Sequence, residues 1–155
     1  MTITIALVLI LSGLSFSPLV DQSKSGSGEI RTLEITGTDD MKYSVTRMEA
    51  RRGERIRIRL RSEGKMPKIA MAHNVVVLTP KSNVAAFGSA AAMARATDFI
   101  PPSKKQEVVA ATGLAGNGET VEVVFTVPNR AGEYPYVCTF PGHLAAGMQG
   151  ILNVK

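Results

Sequence analysis

The C-terminal segment of this 155-residue chain gathers side chains that bind soft metal ions. Cys138, His143 and Met148 follow one another at intervals of five residues, and Cys138 is the only cysteine of the chain. The other of the two histidines, His73, lies far upstream and is followed by Asn74. Two imidazoles, one thiolate and one thioether are the ligand set of a copper site specialised for electron transfer. The residue types therefore predict a copper site that unites the two distant segments.

The spacing of these residues requires the chain to reverse direction near the metal. Five fully extended residues span about 17 Å, which is much farther than two ligands of one ion can lie apart. Pro141 and Gly142 form a turn signal directly before His143. Gly147 and Gly150 allow the returning chain to pass close to the site. We therefore expect a C-terminal loop to supply three ligands and a separate strand to supply His73.

About eight short stretches of strand-forming residues predict an all-β fold, a Greek-key β-sandwich. Arginine and aliphatic residues alternate from Arg55 to Arg61, which predicts a strand with Ile56, Ile58 and Leu60 facing inward. The turn Gly37–Asp40 separates two other strands, and residues 73–78 form a nearly continuous apolar strand. An alanine-rich stretch at 82–97 predicts a short helical flap that ends before Pro101. The predicted strands cover residues 31–35, 41–45, 55–61, 73–78, 106–112, 120–127, 134–138 and 150–154.

The N-terminal region differs in composition from the rest of the chain. Residues 1–20 carry no charged side chain, and the apolar run Ile3–Leu11 has the length of a signal-peptide core. We expect residues 1–20 to be a signal peptide or an N-terminal membrane anchor and residues 21–28 to be a flexible linker. The copper-binding domain then covers residues 29–155. This organisation predicts an exported protein, located in the periplasm or at the outer face of the cytoplasmic membrane.

The formal net charge of +5 arises partly from a cluster of arginines between Arg47 and Arg61. Such a cluster is either an electropositive face that steers an acidic partner or simply the solvated face of a strand. Nucleic-acid binding is disfavoured, because the cluster has no interleaved aromatic residues and no nucleic-acid-binding motif accompanies it.

The ligand segments also resemble those of a known family. The sequences Ala-His-Asn at 72–74 and Cys-Thr-Phe-Pro-Gly-His at 138–143, followed by Met148, are similar to those of the cupredoxins, the small blue-copper proteins. The second sequence matches azurins, whereas the combination of the gap from Cys138 to His143 with the four residues between His143 and Met148 is most similar to auracyanins.

The resemblance implies one type 1 copper ion with His73, Cys138 and His143 as a trigonal ligand set and Met148 as a weak axial ligand. Asn74 would tie the two ligand segments together beside the cysteine sulfur. The protein would shuttle single electrons between redox partner proteins that dock near His143, whose ring edge would lie near the surface, and it would not be an enzyme.

Two other interpretations of the same residues remain open. Cys138 can be a thiolate nucleophile activated by a histidine, although such a histidine needs an orienting acid and Glu133 is the nearest one in sequence. The cluster can also be a structural zinc site or a site for copper storage or delivery. A methionine ligand argues against zinc, which prefers nitrogen, thiolate and oxygen donors.

Overall fold

Residues 30–155, the part that this computed structural model describes, form a sandwich of two β-sheets. Residues 1–29, and with them the expected signal peptide and linker, lie outside the described part. No helix within residues 30–155 is long and apolar enough to cross a membrane. The strands are β1 Arg31–Thr38, β2 Lys42–Tyr43, β3 Arg47–Ala50, β4 Arg55–Glu63, β5 Val76–Leu78, β6 Val108–Ala111, β7 Thr120–Thr126, β8 Gly132–Val137 and β9 Gln149–Val154.

The two sheets are both mixed. The first has the strand order β2-β1-β4-β7, with β1 and β4 parallel and β4 and β7 antiparallel. The second has the order β3-β9-β8-β5-β6, in which β3 and β9 are parallel and the remaining pairs are antiparallel. The predicted all-β sandwich is therefore confirmed, with nine strands in the described part of the chain instead of about eight.

Strand β4 carries the alternation that the sequence predicted. Ile56, Ile58 and Leu60 are completely buried and contribute to the main core between the sheets. The intervening arginines face outward and pair with carboxylates: Arg57 and Arg59 contact Glu122 on β7. A period of two residues places alternate side chains on opposite faces of a sheet, so the same pattern forms the core and a charged surface.

Three predicted strands are shorter than the sequence pattern indicated. In residues 106–112 the strand β6 begins only at Val108, because Gln106 and Glu107 end the 3₁₀ helix Pro102–Glu107. In residues 73–78 the strand β5 begins only at Val76, and His73 forms an isolated bridge with Ala115. The ladder is interrupted because the amide of Val75 donates to the hydroxyl of Thr112 instead of to a neighbouring strand. In residues 41–45 only Lys42–Tyr43 is a strand, since Met41 adopts a left-handed backbone conformation with φ of 55°.

The helical flap follows β5 and is also shorter than predicted. The helix α1 covers Val84–Ala92, and its N-terminus is capped by Asn83, whose side chain accepts a hydrogen bond from the amide of Ala86 at 3.0 Å. Phe87 and Ala91 are buried against β5 and β8 in a second, smaller core. A separate short 3₁₀ turn covers Arg95–Thr97. The flap therefore packs on the same sheet that leads into the C-terminal loop.

Candidate metal centre

The structure brings both histidines and the cysteine together at one end of the sandwich. The side-chain donor atoms of His73, Cys138 and His143 all lie within 4.8 Å of one another, and all three residues are buried. The Sγ of Cys138 is 3.3 Å from Nδ1 of His143, and the two imidazole centroids are 5.0 Å apart. One soft nitrogen and sulfur donor set is therefore concentrated in a volume that suits a single ion.

Backbone hydrogen bonds close the C-terminal loop around this cluster. Cys138 directly follows β8, and its amide donates to the carbonyl of Met148 at 3.1 Å, just before β9 begins. The amide of Met148 in turn donates to the carbonyl of His143 at 2.9 Å. Gly142 and Gly147 both have a φ of 86°, a left-handed conformation that glycine adopts without strain. The predicted reversal of the chain thus occurs at these two glycines.

Asn74 connects the loop to the segment that contains His73. Its side-chain nitrogen donates to the hydroxyl of Thr139 at 2.8 Å, while its side-chain oxygen accepts from the amide of Thr139 at 2.9 Å. His73 and Cys138 adjoin these two residues in sequence, so one pair of hydrogen bonds fixes the distance between the two segments. Both Asn74 and Thr139 are buried, which protects the hydrogen bonds from competition by water.

The cluster is dehydrated and its groups are neutral near pH 7. Burial lowers the pKa of His143 to about 4, with a further contribution from the nearby His73, whose own pKa is also lowered by burial. Burial raises the pKa of the Cys138 thiol to about 11. The two ring nitrogens of His73 are buried without a hydrogen-bond partner among the described residues. Unsatisfied nitrogens of this kind are costly unless they bind something.

Met148 lies in the same buried cluster as Cys138. Its side chain is completely buried within the main core, and its backbone holds the loop closed as described above. The carbonyl of Ala72, the residue before His73, approaches the cysteine sulfur to 4.0 Å. Burial alone does not distinguish Met148 from Met48 and Met71, which are also buried, whereas Met93 is 87% exposed on the flap.

The imidazole of His143 is more deeply covered than the sequence indicated. The residue is only 1% exposed, so the expected ring edge near the surface is not open to solvent. The ring of Phe140 packs on it with centroids 4.9 Å apart, and Phe140 itself contacts Phe99. The adjacent Pro141 and Gly142 are exposed, so the surface next to His143 belongs to the loop itself.

Two residues beside the cluster carried no recognisable signal in the sequence. The sequence predicted a turn that begins at Gly37. In the structure Gly37 lies in β1 instead, against the ring of His73. Tyr43 is buried beneath the site and donates its hydroxyl to the carbonyl of Asn74. Both contacts join residues distant in sequence, and only the packing of the sheets brings them together.

Comparison with known proteins identifies the family. The sequence pattern of the family described as "Copper binding proteins, plastocyanin/azurin family" matches residues 31–155 of this chain. The chain belongs to this family. It is 33% identical to auracyanin-A of Chloroflexus aurantiacus over 84% of this chain and 78% of that one, and 34% identical to an azurin of Alcaligenes faecalis over 79% and 96%. The solved structure of auracyanin A, titled a "blue" copper protein, superposes with a TM-score of 0.71 at 30% identity, covering 82% of this chain and all of that one.

Membership of the plastocyanin/azurin family confirms the predicted cupredoxin fold, and it makes copper the metal of this protein. The protein is a type 1 copper electron carrier, since the cupredoxins are electron-transfer carriers. The resemblance to auracyanins that the spacing of Cys138, His143 and Met148 suggested is confirmed as well.

Proposed function

We propose that His73, Cys138 and His143 bind one copper ion as a trigonal set, that Met148 is its weak axial ligand, and that the protein shuttles electrons between redox partners. The observation that carries this assignment is the convergence of three buried donor atoms within 4.8 Å. It gains support from the two ring nitrogens of His73, which are buried without a partner within residues 30–155. The copper ion would supply the Cu(I)/Cu(II) couple that carries the electron.

The residues around the ligands favour a site that keeps one shape. The Asn74–Thr139 bonds and the closure of the loop between Cys138 and Met148 hold the donors independently of any ion. A carrier needs nearly the same ligand positions in both oxidation states, since any rearrangement slows electron transfer. The buried core around Met148 and Cys138 also excludes water from the sulfur donors. The sandwich therefore provides rigidity and low polarity, and both properties tune a copper potential.

Partner docking is proposed for the exposed loop residues beside His143. Pro141 and Gly142 are exposed, and Leu144 and Ala145 line a groove between the loop and α1. Small apolar residues in this position permit close, short-lived contact with a redox partner protein. Because the His143 ring is covered, an electron would leave through the packed atoms of the loop instead of through an exposed ring.

We also propose that the protein is exported and acts in the periplasm or at the outer face of the cytoplasmic membrane. Residues 1–20 would be the signal peptide or the anchor, residues 21–28 the linker, and residues 29–155 the copper domain. The uncharged, apolar composition of residues 1–20 supports this proposal. Determining the N-terminal residue of the protein recovered from its cells would distinguish a cleaved signal from a retained anchor.

The copper assignment is tested by adding Cu(II) to the purified protein and recording its visible spectrum. We expect an intense thiolate-to-copper charge-transfer band that disappears in Cys138→Ser. For the axial ligand, Met148→Leu should shift the band and the reduction potential, whereas Met93→Leu, which changes an exposed methionine, should leave both unchanged. A colourless copper complex in the wild-type protein would refute the assignment of Cys138 as ligand.

The alternative of a thiol enzyme lacks the electrostatics it requires. A nucleophilic cysteine needs a lowered pKa and access to substrate, whereas Cys138 is completely buried and burial raises its pKa to about 11. Glu133, the acid considered as an orienting group, is 62% exposed at the side chain and pairs with Arg47 at 3.3 Å. Rapid labelling of the copper-loaded protein by a thiol reagent would instead support the alternative in which Cys138 is an enzymatic nucleophile.

A further inference from the structure

Tyr43 makes the one tyrosine hydrogen bond that reaches a ligand segment. The chain has three tyrosines, and each donates its hydroxyl to a backbone carbonyl. Tyr134 bonds the carbonyl of Arg130, and Tyr136 bonds the carbonyl of Val45, at 2.9 and 2.6 Å. Tyr43 instead bonds the carbonyl of Asn74, the residue that directly follows His73. A hydroxyl on β2 is thereby connected to the site through the backbone.

This hydrogen bond completes the restraints on Asn74. The side chain of Asn74 is already bonded twice to Thr139, as described above. These two bonds fix the side-chain amide group. The peptide that joins Asn74 to Val75 is held at its N–H, which donates to the hydroxyl of Thr112 at 2.9 Å, and its carbonyl needs a partner on the other side. The hydroxyl of Tyr43 restrains that peptide from the opposite side. With all four bonds present, the side chain and the following peptide of Asn74 are held, and with them the direction in which the chain carries the His73 side chain.

The surroundings of Tyr43 make this restraint strong. The residue is 7% exposed, and Tyr43, Cys138 and Met148 belong to one buried cluster. Its ring packs on Tyr136 with centroids 5.6 Å apart, which limits the positions open to the hydroxyl. A hydrogen bond in such an apolar region is stronger than one exposed to water.

We infer that Tyr43 is a positioning residue of the copper site, whose hydroxyl holds the Asn74 carbonyl and thereby sets the placement of His73 relative to Cys138. The inference rests on the proposed ligand set. Removing the hydroxyl leaves the carbonyl buried and loosens the His73 segment, so copper affinity, the charge-transfer band and the reduction potential change together. Outer hydrogen-bond partners of metal ligands commonly contribute about 10- to 100-fold to metal affinity.

The matched variants are Tyr43→Phe, Tyr136→Phe and Tyr134→Phe, each of which removes one buried hydroxyl and keeps the ring. Cu(I) affinity is measured by competition with a chelator, and the visible band and reduction potential are recorded for each protein. We expect Tyr43→Phe to weaken Cu(I) binding by about 10-fold or more and to shift the band and the potential. Tyr136→Phe and Tyr134→Phe should match the wild type in all three quantities, even where they lower stability by a similar amount.

A measurement on the metal-free proteins separates this inference from the proposed function. In NMR spectra, Tyr43→Phe should shift the signals of the His73 imidazole and of the Asn74 side-chain amide, and the two control variants should not. If the wild type shows the copper band but Tyr43→Phe behaves like the controls in every measurement, the role of Tyr43 is refuted and the copper site stands. If the wild type lacks the band while the NMR shifts occur, the ligand assignment fails and the positioning of His73 by Tyr43 is retained.

Discussion

At the scale of single residues, the site is built from donors that are held apart from water before any ion arrives. His73 has two buried ring nitrogens without a partner among the described residues, and a buried donor or acceptor left unbonded costs roughly 1–3 kcal/mol. Binding of copper to one of them recovers part of this cost. The thiol of Cys138 must release its proton for the same step, because the thiolate is the ligand. The unbonded nitrogens of His73 thus destabilise the metal-free fold, and copper binding relieves part of this cost.

Gly37 is predicted to be essential for the copper site, because any side chain at this position would collide with the ring of His73. A Cβ at this position would lie 2.7 Å from Cγ and 2.8 Å from Cδ2 of His73. Gly37→Ala should therefore displace the imidazole, weaken Cu(I) binding by about 10-fold or more and lower the free energy of unfolding by about 1–3 kcal/mol. The control is Gly113→Ala, because a Cβ there meets no atom within 4 Å. An unchanged visible spectrum for Gly37→Ala would contradict the prediction.

The buried histidines predict the pH dependence of the metal-free protein. Burial lowers the pKa of His143 from 6.5 to about 4 and lowers that of His73 as well. Below pH 6.5 the unfolded chain gains protons that the folded protein does not accept. The free energy of unfolding should therefore be highest above pH 6.5 and decrease as the pH falls towards about 4. Urea unfolding across this range measures the effect, and His143→Gln should flatten the curve between pH 6.5 and 5. A curve of unchanged slope in that variant would assign the effect to other groups.

At the scale of secondary structure, the arginines of β4 are largely neutralised by their neighbours. Arg59 contacts Glu34 on β1 at 2.9 Å and Glu122 on β7 at 2.5 Å, and Arg57 shares Glu122. Arg61 lies 3.4 Å from Glu63. Of the two interpretations of this stripe, the solvated strand face is the better supported, because carboxylates on adjacent strands cancel much of the positive potential that steering requires.

The helix α1 is predicted to contribute to stability without setting the copper chemistry. Asn83→Ala removes the side chain that caps the helix and should lower the free energy of unfolding by roughly 1 kcal/mol. The visible band and the reduction potential should remain unchanged, because no proposed ligand lies on the helix. Asn83→Ser retains a capping oxygen and should recover most of the stability. A shift of the copper band in Asn83→Ala would show that the flap controls the geometry of the loop.

The sequence predicted those features that depend on local patterns. Alternation identified β4, and the unusual side chains at 138–148 identified the loop and its auracyanin-like spacing. It did not predict that the strand containing His73 is interrupted, because that depends on the hydroxyl of Thr112, the residue after β6, reaching the amide of Val75. The roles of Gly37 and Tyr43 were hidden for the same reason. A contact between segments distant in sequence does not affect the residue pattern within either segment, so the pattern cannot predict it.

At the scale of the whole molecule, one positive charge without a salt bridge among the described residues, that of Arg95, lies near the C-terminal loop. Arg95 is exposed and, with Lys68, Ile69 and Asp98, lines a hollow that also includes Phe140 and Pro141. Lys68 is paired with Glu119 at 2.6 Å. Ile69 is 78% exposed, so the hollow has an apolar rim. The attraction of an anionic partner thus depends on where the positive charges lie more than on the formal net charge of +5. The arginines of β4 contribute less to this attraction than their number suggests, because they pair with carboxylates.

This distribution predicts how the reduced protein reacts with the anionic oxidant ferricyanide. Arg95→Gln removes a charge next to the proposed docking loop and should slow the second-order oxidation about threefold at low salt. Arg59→Gln removes a charge from the outer face of the first sheet, where it pairs with Glu34 and Glu122, instead of from the loop, and should change the rate less. The difference should shrink as the ionic strength rises above about 0.1 M, where screening acts over roughly 10 Å. Stopped-flow rates are compared at equal reduction potentials, because a change in driving force alters the rate by itself. Equal slowing by the two variants would place the reactive face elsewhere than at the loop beside His143.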